Sequence, residues 1–169
     1  YEEKNKIIIP SHRLFEPSPD FEKNKIDEAV ELIAKSKKPI FYIGGGCINS
    51  GPKVASLVTN FVEEIEAPAT MTLMGLGVLP ASNQFSLGML GMHGMYEANL
   101  AMHECDVMIN IGARFDDRVT GRLDAFSPNS KKIHIDINAS NINKNIKVDV
   151  PIVGDIANIM NQILYIWKK

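Results

Sequence analysis

Apolar residues along the chain follow two patterns, one typical of amphipathic helices and one typical of buried strands. The clearest helix is predicted over residues 52–66, where apolar side chains recur at i, i+3, i+4, i+7, i+8 and i+11 (Val54, Leu57, Val58, Phe61, Val62 and Ile65). Pro52 falls in its first turn, where the missing N–H of proline costs little. Similar spacing predicts helices over residues 24–37, 94–104 and 155–167.

Short continuous apolar runs separate these helices and predict buried strands. The runs cover residues 40–43, 107–111 and 132–137, with weaker runs at 68–72 and 151–153. Strands that alternate with helices favour a parallel sheet covered on both sides. We therefore predict an α/β fold, a three-layer Rossmann-like, doubly wound parallel sheet with helices on both faces. The stretch with Gly75, Gly77 and Pro80 and residues 113–130 are predicted loops, and 138–145 a turn or short helix.

The chain divides into a short first segment and one domain. Residues 1–23 contain Pro10, Pro17 and Pro19 without a sustained period, so we predict an interdomain linker there and a single domain over residues 24–169. The missing initiator Met favours a piece of a longer or processed protein. A net charge of −2 lacks the basic footprint of a nucleic-acid binder, and no apolar stretch reaches the ~18 residues of a membrane span. Two isolated cysteines, Cys47 and Cys105, are expected to be reduced.

A glycine run follows the strand predicted at 40–43. Gly44, Gly45 and Gly46 precede a helix, an arrangement that can bring backbone N–H groups to a phosphate. The run matches neither the G-x-G-x-x-G pattern nor a P-loop. A tight strand-to-helix turn with no ligand is therefore an equally good interpretation.

Two further loops carry candidate chemistry. Gly91 and Gly94 flank Met92 and His93, which allows a flat ligand to approach a soft Met surface, although His93 can equally be a loop residue without a role. The run 112–121 follows a strand, at the edge of the sheet where α/β proteins bind ligands, and it holds the charged residues Arg114, Asp116, Asp117 and Arg118. Either arginine can clamp a pyrophosphate, or the four can form a solvated Arg–Asp cluster.

Two acidic residues at later strand ends complete the candidates. Asp136 is placed to hold a ribose hydroxyl pair, or it serves a turn. Asp155 contacts the ligand or caps the last helix. We find no nucleophile elbow, no metal-ligand spacing and no Gly-Asp-Gly…Asn pattern for thiamine diphosphate, so no catalytic or metal-binding residue is assigned. The residues alone predict a domain that binds a nucleotide-containing cofactor.

Three segments together resemble a known family. Residues 72–77 (with Pro80), 90–94 and 111–121 follow the order and spacing of the central domain of acetohydroxyacid (acetolactate) synthases, and 133–137 and 153–155 continue the likeness. The resemblance runs from about residue 26 to 160. The run Arg-Phe-Asp-Asp-Arg-Val-Thr-Gly, residues 114–121, is its most specific part.

The resemblance implies an FAD site on this domain. Its residues would be Gly44, Gly45, Gly46, Thr72, Leu73, Met74, Gly91, Met92, His93, Gly112, Arg114, Val119, Asp136, Ile137 and Asp155, with Asp116 and Arg118 near the mouth of the substrate channel. Thiamine diphosphate and Mg²⁺ would lie in flanking domains of the longer chain.

The resemblance also implies an activity for the full enzyme. That enzyme condenses two pyruvates, or pyruvate and 2-oxobutyrate, with decarboxylation, in branched-chain amino-acid synthesis. It would be a homo-oligomer with a small regulatory subunit, in the cytoplasm or a plastid, and this chain alone would be inactive. The alternatives are the central domain of another thiamine-diphosphate enzyme (a pyruvate oxidase or glyoxylate carboligase) and a non-catalytic adenine-nucleotide-binding module.

Overall fold

The computed structural model describes residues 23–169, which form a six-stranded parallel sheet with helices on both faces. The predicted fold class is therefore confirmed. The strands are β1 Pro39–Ile43, β2 Ala69–Met71, β3 Ser86–Met89, β4 Val107–Ile111, β5 Lys131–Asp136 and β6 Val150–Val153. The helices are α1 Lys23–Lys35, α2 Gly45–Asn49, α3 Pro52–Ile65, α4 Tyr96–Glu104, α5 Asp117–Thr120 and α6 Ile156–Trp167.

The order of the strands reverses in the middle of the sheet. The order is β3-β2-β1-β4-β5-β6, so the chain moves outward from β1 to β3 and then returns to pair β4 with β1. Pro39 pairs with Val107 and Ile43 with Ile111, which aligns the carboxyl ends of β1 and β4. In doubly wound sheets the ligand crevice opens at this reversal, outside the carboxyl ends of the strands.

The two faces of the sheet are covered unequally. Phe41 and Ile43 point to the face that packs on α1, α3 and α6, where the larger apolar core lies. Ile40 and Tyr42 point to the opposite face, which is covered by α4 and by irregular chain between β4 and β6. Both faces of each central strand are thus buried, which explains why these strands read as unbroken apolar runs.

The helices bury the stripes expected from their sequences. In α3 the buried residues are Val54, Val58, Phe61 and Val62, and in α6 they are Ile156, Ile159, Met160 and Ile163. The helix α3 is followed by Glu66, which caps its carboxyl end with a left-handed φ of 56°. No helix within residues 23–169 is long and apolar enough to cross a membrane.

Several boundaries differ from the sequence predictions. The strand β3 lies in the stretch predicted as a glycine-rich loop, because Ser86 and Gly88 interrupt its apolar residues and all of its residues are only half-buried. The helix predicted from residue 94 begins at Tyr96, since Gly94 packs on the backbone of Leu90. Short helices occur at α2 and α5, in stretches predicted as loops. Residues 1–22 of the predicted linker lie outside the described residues, and Lys23 is already the first residue of α1.

Candidate functional site

A cleft of about 670 Å³ opens at the carboxyl edge of the sheet, where the strand order reverses. Its volume lies within the ~300–1,000 Å³ of ordinary ligand sites. Loops that follow β1, β2, β4 and β5 form its walls. The lining residues are Tyr42, Gly45, Gly46, Asn49, Thr72, Leu73, Met74, Gly112, Ala113, Arg114, Asp116, Asp117, Arg118, Val119, Asp136, Ile137, Asn138 and Asn141.

Most of the residues predicted from the sequence meet in this cleft. The structure brings together Gly45, Gly46, Thr72, Leu73, Met74, Gly112, Arg114, Asp116, Arg118, Val119, Asp136 and Ile137. Five predicted residues do not line it: Gly44, Gly91, Met92, His93 and Asp155. Four separate segments of sequence therefore converge on one ligand-sized space.

The glycine run acts mainly as a packing device between loops. A Cβ atom on Gly46 would lie 2.8 Å from Gly112 Cα, and one on Gly45 would lie 2.9 Å from Met74 Cβ. The N–H of Gly44 donates to Ile111 O at 2.9 Å, and the N–H of Gly46 donates to Gly112 O at 2.9 Å. These two amides are occupied by the protein itself, so the tight-turn interpretation describes Gly44 and Gly46. Neither amide is therefore available to a phosphate.

Arginine and aspartate side chains form the charged wall of the cleft. Arg114 Nη2 lies 3.1 Å from Asp116 Oδ2, and both side chains are about half exposed, at 65% and 48%. An exposed ion pair of this kind is worth only ~0–1 kcal/mol. The pair leaves the guanidinium free to turn to an anionic ligand at small cost, and Arg114 offers the planar donor fork that suits a pyrophosphate.

The Met92–His93 loop lies beside the cleft and is fastened to its wall. Met92 N–H donates to Arg118 O at 2.9 Å. The amide of Asn99 holds Gly91 from below, because Asn99 Oδ1 accepts from Gly91 N–H at 2.8 Å and Nδ2 donates to Gly91 O at 3.0 Å. Gly91 has a φ of 93°, a conformation that favours glycine. Met92 and His93 are exposed at the same edge of the sheet.

The two predicted acidic residues differ in position. Asp136 is buried at the cleft, where its Oδ1 accepts from Asn138 N–H at 2.7 Å and its carboxylate accepts from Asn141 Nδ2 at 3.1–3.2 Å. Asp136 therefore holds the turn that follows β5, and its carboxylate keeps lone pairs that can accept a hydrogen bond from a ligand hydroxyl. Asp155 caps α6, because its side chain accepts a hydrogen bond from Asn158 N–H at 2.9 Å. The helix-cap interpretation therefore describes this residue.

A row of polar side chains lies under the cleft on one face of the sheet. Thr70, Tyr42, Asn110 and His134 are register partners across β2, β1, β4 and β5, and all are fully buried. Burial raises the pKa of Tyr42, with Asp116 adding to the shift and Arg114 opposing it. The tyrosine hydroxyl is thus a neutral donor under all ordinary conditions.

Sequence reasoning missed five residues that line the cleft, and it left a sixth, Asp117, as part of a candidate Arg–Asp cluster. The five are Tyr42, Asn49, Ala113, Asn138 and Asn141. Position after a strand was a usable signal for Asn49, Asn138 and Asn141, since each follows a run already assigned to the carboxyl edge. No such signal marks Tyr42, because its position in the sequence is that of one more apolar residue in a buried strand.

The rest of the described chain offers no competing chemical centre. A cleft of about 640 Å³ opens at the amino edge, between Pro39, Glu66, Glu104 and Trp167, and includes none of the predicted site residues. Within residues 23–169 no cluster of three or more His, Cys, Asp or Glu residues could hold a metal ion.

Comparison with known proteins identifies relatives along almost the whole chain. The family described as "Thiamine pyrophosphate enzyme, central domain" matches residues 26–163. The isozyme 3 large subunit of acetolactate synthase from Escherichia coli is 42% identical over 159 residues, 94% of this chain and 27% of that protein. The large subunit from Pyropia yezoensis is 42% identical over 98% of this chain, again 27% of that protein.

An archaeal relative gives the same result. The probable acetolactate synthase large subunit of Methanocaldococcus jannaschii is 46% identical over 140 residues, 83% of this chain and 23% of that protein. The chain thus spans about a quarter of the length of the relatives that it matches.

Proposed function

Because the chain belongs to the family of thiamine pyrophosphate enzyme central domains, we propose that it is the FAD-binding central domain of an acetolactate synthase large subunit. The observation that supports this function is the convergence of Gly45 and Gly46, of residues between 112 and 119, and of Asp136 on one cleft at the reversal of the strand order. The family match and the acetolactate synthase relatives supply the choice of enzyme.

The residues of the cleft fit an adenine dinucleotide. Gly45, Gly46 and Gly112 present backbone and no side chain to the cleft, because the positions of their missing Cβ atoms are filled by neighbouring loops. Arg114 is the donor for the pyrophosphate, and Asp136 is the acceptor for ribose hydroxyls. Leu73 and Met74, exposed at 69% and 72%, provide a soft apolar surface for the flat flavin ring.

The longer protein, in this proposal, condenses two pyruvates, or pyruvate and 2-oxobutyrate, with loss of carbon dioxide. Thiamine diphosphate and Mg²⁺ supply the carbanion chemistry from flanking domains, and FAD undergoes no net redox change. Asp116 and Arg118 lie on the side of the cleft that we assign to the substrate channel. The full enzyme would be a homo-oligomer with a small regulatory subunit, in the cytoplasm or a plastid, and this chain alone would be inactive.

Ligand titration tests the cofactor assignment. The 169-residue chain is titrated with FAD, ADP and NAD by calorimetry and flavin fluorescence. We expect saturable FAD binding that Arg114→Ala and Asp136→Ala each weaken about tenfold or more, because each removes a charged hydrogen-bonding partner worth ~1.5–3 kcal/mol.

A matched pair of controls lies close by. Arg122 and Asp124 form the same Arg-x-Asp ion pair at the surface, with both side chains at least 70% exposed and outside the cleft. Arg122→Ala and Asp124→Ala should leave FAD affinity unchanged. Binding of ADP without FAD would locate only the adenine half on this chain. Binding of NAD in preference to FAD would favour the non-catalytic nucleotide module, and pyruvate oxidation by the full-length protein would favour a pyruvate oxidase.

A further inference from the structure

The backbone that carries Arg114 to the cleft is held by two side chains of the sheet beneath it. Asn110 Nδ2 donates to Ala113 O at 2.9 Å, and Asn110 Oδ1 accepts from Ala113 N–H at 3.1 Å. Tyr42 Oη donates to Arg114 O at 3.0 Å. Tyr42 and Asn110 are register partners on β1 and β4, so neighbouring strands reach up to neighbouring residues of the same loop.

The next two carbonyl groups of the loop also accept side-chain hydrogen bonds, one from the segment between β5 and β6 and one from α5 itself. Asn145 Nδ2 donates to Phe115 O at 2.6 Å, and Thr120 Oγ1 donates to Asp116 O at 3.2 Å. Four consecutive carbonyl oxygens, those of residues 113–116, therefore each accept a side-chain hydrogen bond. Loops at ligand sites commonly keep solvated, mobile backbones, whereas this one is held by side-chain hydrogen bonds at four successive residues.

Core packing does not explain the choice of Tyr42 and Asn110. Both are fully buried, and their strand neighbours on the same face, Ile40 and Met108, are apolar. A buried polar group costs free energy unless it is hydrogen-bonded, so an apolar residue would serve the core equally well at these positions. Both side chains hydrogen-bond to the loop, at Ala113 and Arg114.

We propose that Tyr42 and Asn110 are positioning residues that fix the Arg114 loop in its ligand-binding conformation before a ligand binds. The assignment of that ligand as FAD rests on the proposed function. A loop ordered in advance loses less conformational entropy on binding, and affinity rises accordingly. The pair acts through the backbone, so the Arg114 side chain stays free to turn to a pyrophosphate.

Tyr42→Phe tests the proposal, because it removes one hydroxyl and keeps the ring that packs on Phe115. Backbone amide exchange of the unliganded 169-residue chain is followed by NMR, together with FAD titration. We expect faster exchange at Ala113 and Val119, unchanged exchange in β5 and α6, and FAD binding weakened roughly fivefold, the equivalent of one net hydrogen bond. Tyr165→Phe, on the exposed side of α6, is the matched control and should change neither measurement.

Two results would overturn the assignment. If Tyr42→Phe leaves amide exchange and FAD affinity unchanged, the Tyr42 hydroxyl does not fix the conformation of the loop. Exchange that rises equally through β1, β4 and β5 would show a general loss of stability. Asn110→Ala is the second variant and should accelerate exchange at Ala113 still more. If the unsubstituted chain binds no FAD, the cofactor proposal fails for the isolated chain, while the exchange data still decide the positioning role.

Discussion

Gly44 follows β1 and lies so close to Gly112, which follows β4, that no side chain fits at Gly44. A Cβ atom there would lie 2.2 Å from the carbonyl oxygen of Gly112 and 2.3 Å from Ala113 Cα. Gly44 has φ −114° and ψ 178°, an extended conformation that any residue adopts. Its need for glycine is therefore purely steric, and it arises because the ends of β1 and β4 meet where the cleft opens.

Gly44→Ala should lower the free energy of unfolding by at least ~2 kcal/mol, since overpacking costs ~1–3 kcal/mol and here the atoms in the way are backbone. Urea unfolding measures the change. Gly77→Ala is the control, because Gly77 has a φ of 98° and open space around it, so only backbone strain of ~1–2 kcal/mol is added. A Gly44→Ala chain that is more stable than the Gly77→Ala chain would contradict the steric account.

The two hydrogen bonds between the Asn99 side chain and the Gly91 backbone give a second prediction. Asn99→Ala removes two hydrogen bonds to the Gly91 backbone, so Gly91 and Met92 amides should exchange faster and stability should fall by ~1–2 kcal/mol. Amide exchange and urea unfolding provide the two measurements. Asn161→Ala, at an exposed position of α6, is the control and should change neither. Unaltered exchange at Gly91 would mean that the loop holds its shape without the amide.

The fold was predictable from the sequence wherever a segment is buried on both sides or along one helical stripe. β1 and β4 are buried throughout their apolar residues, and α3 shows its stripe in the sequence. The strand β3 was missed because an edge strand is only half-buried and Gly88 interrupts its pattern. The predicted and the missed elements differ in how far tertiary neighbours bury them, and a local sequence pattern does not contain that information.

The site was predictable only as far as chain position carries information. Carboxyl ends of parallel strands meet at one edge, and this placed Gly112, Arg114 and Asp136 together. Tyr42 acts on a carbonyl group 72 residues away, and Asn145 acts on one 30 residues away. Such pairs exist only after the sheet has formed, so the polar row under the cleft could not be found from spacing.

The positions of the two thiols give a prediction about their reactivity. Cys47 is buried on the α1, α3 and α6 side and Cys105 on the α4 side, so the sheet separates them and they cannot form a disulfide with each other. Burial raises the pKa of Cys47 to about 12 and also raises the pKa of Cys105. Because the thiolate is the reactive form, neither should react with Ellman's reagent at pH 8 until the chain is unfolded.

A surface cysteine calibrates that measurement. Ser82→Cys introduces a thiol at an exposed position and should react within seconds to minutes, while the two native thiols react only as fast as the chain opens. Reaction of two equivalents in the unsubstituted native chain at the same rate as Ser82→Cys would contradict the burial of both sites.

His134 makes stability depend on pH. It is fully buried, and neither ring nitrogen has a hydrogen-bond partner within the described part of the chain. Burial lowers its pKa below 6.5, opposed by Asp136, whose Oδ2 lies 3.8 Å from Nε2. As the pH falls below 6.5 the unfolded chain takes up a proton that the folded chain does not, so the free energy of unfolding decreases.

Each pH unit between the two pKa values costs up to ~1.4 kcal/mol. His134→Leu should remove this loss, so the variant should gain stability relative to the unsubstituted chain as the pH is lowered from 7.5 to 5.0. Urea unfolding at both pH values measures the difference, and contributions from groups that do not contact His134 cancel in the comparison. An equal pH dependence in the His134→Leu chain would show that His134 takes up its proton as readily in the folded state as in the unfolded one.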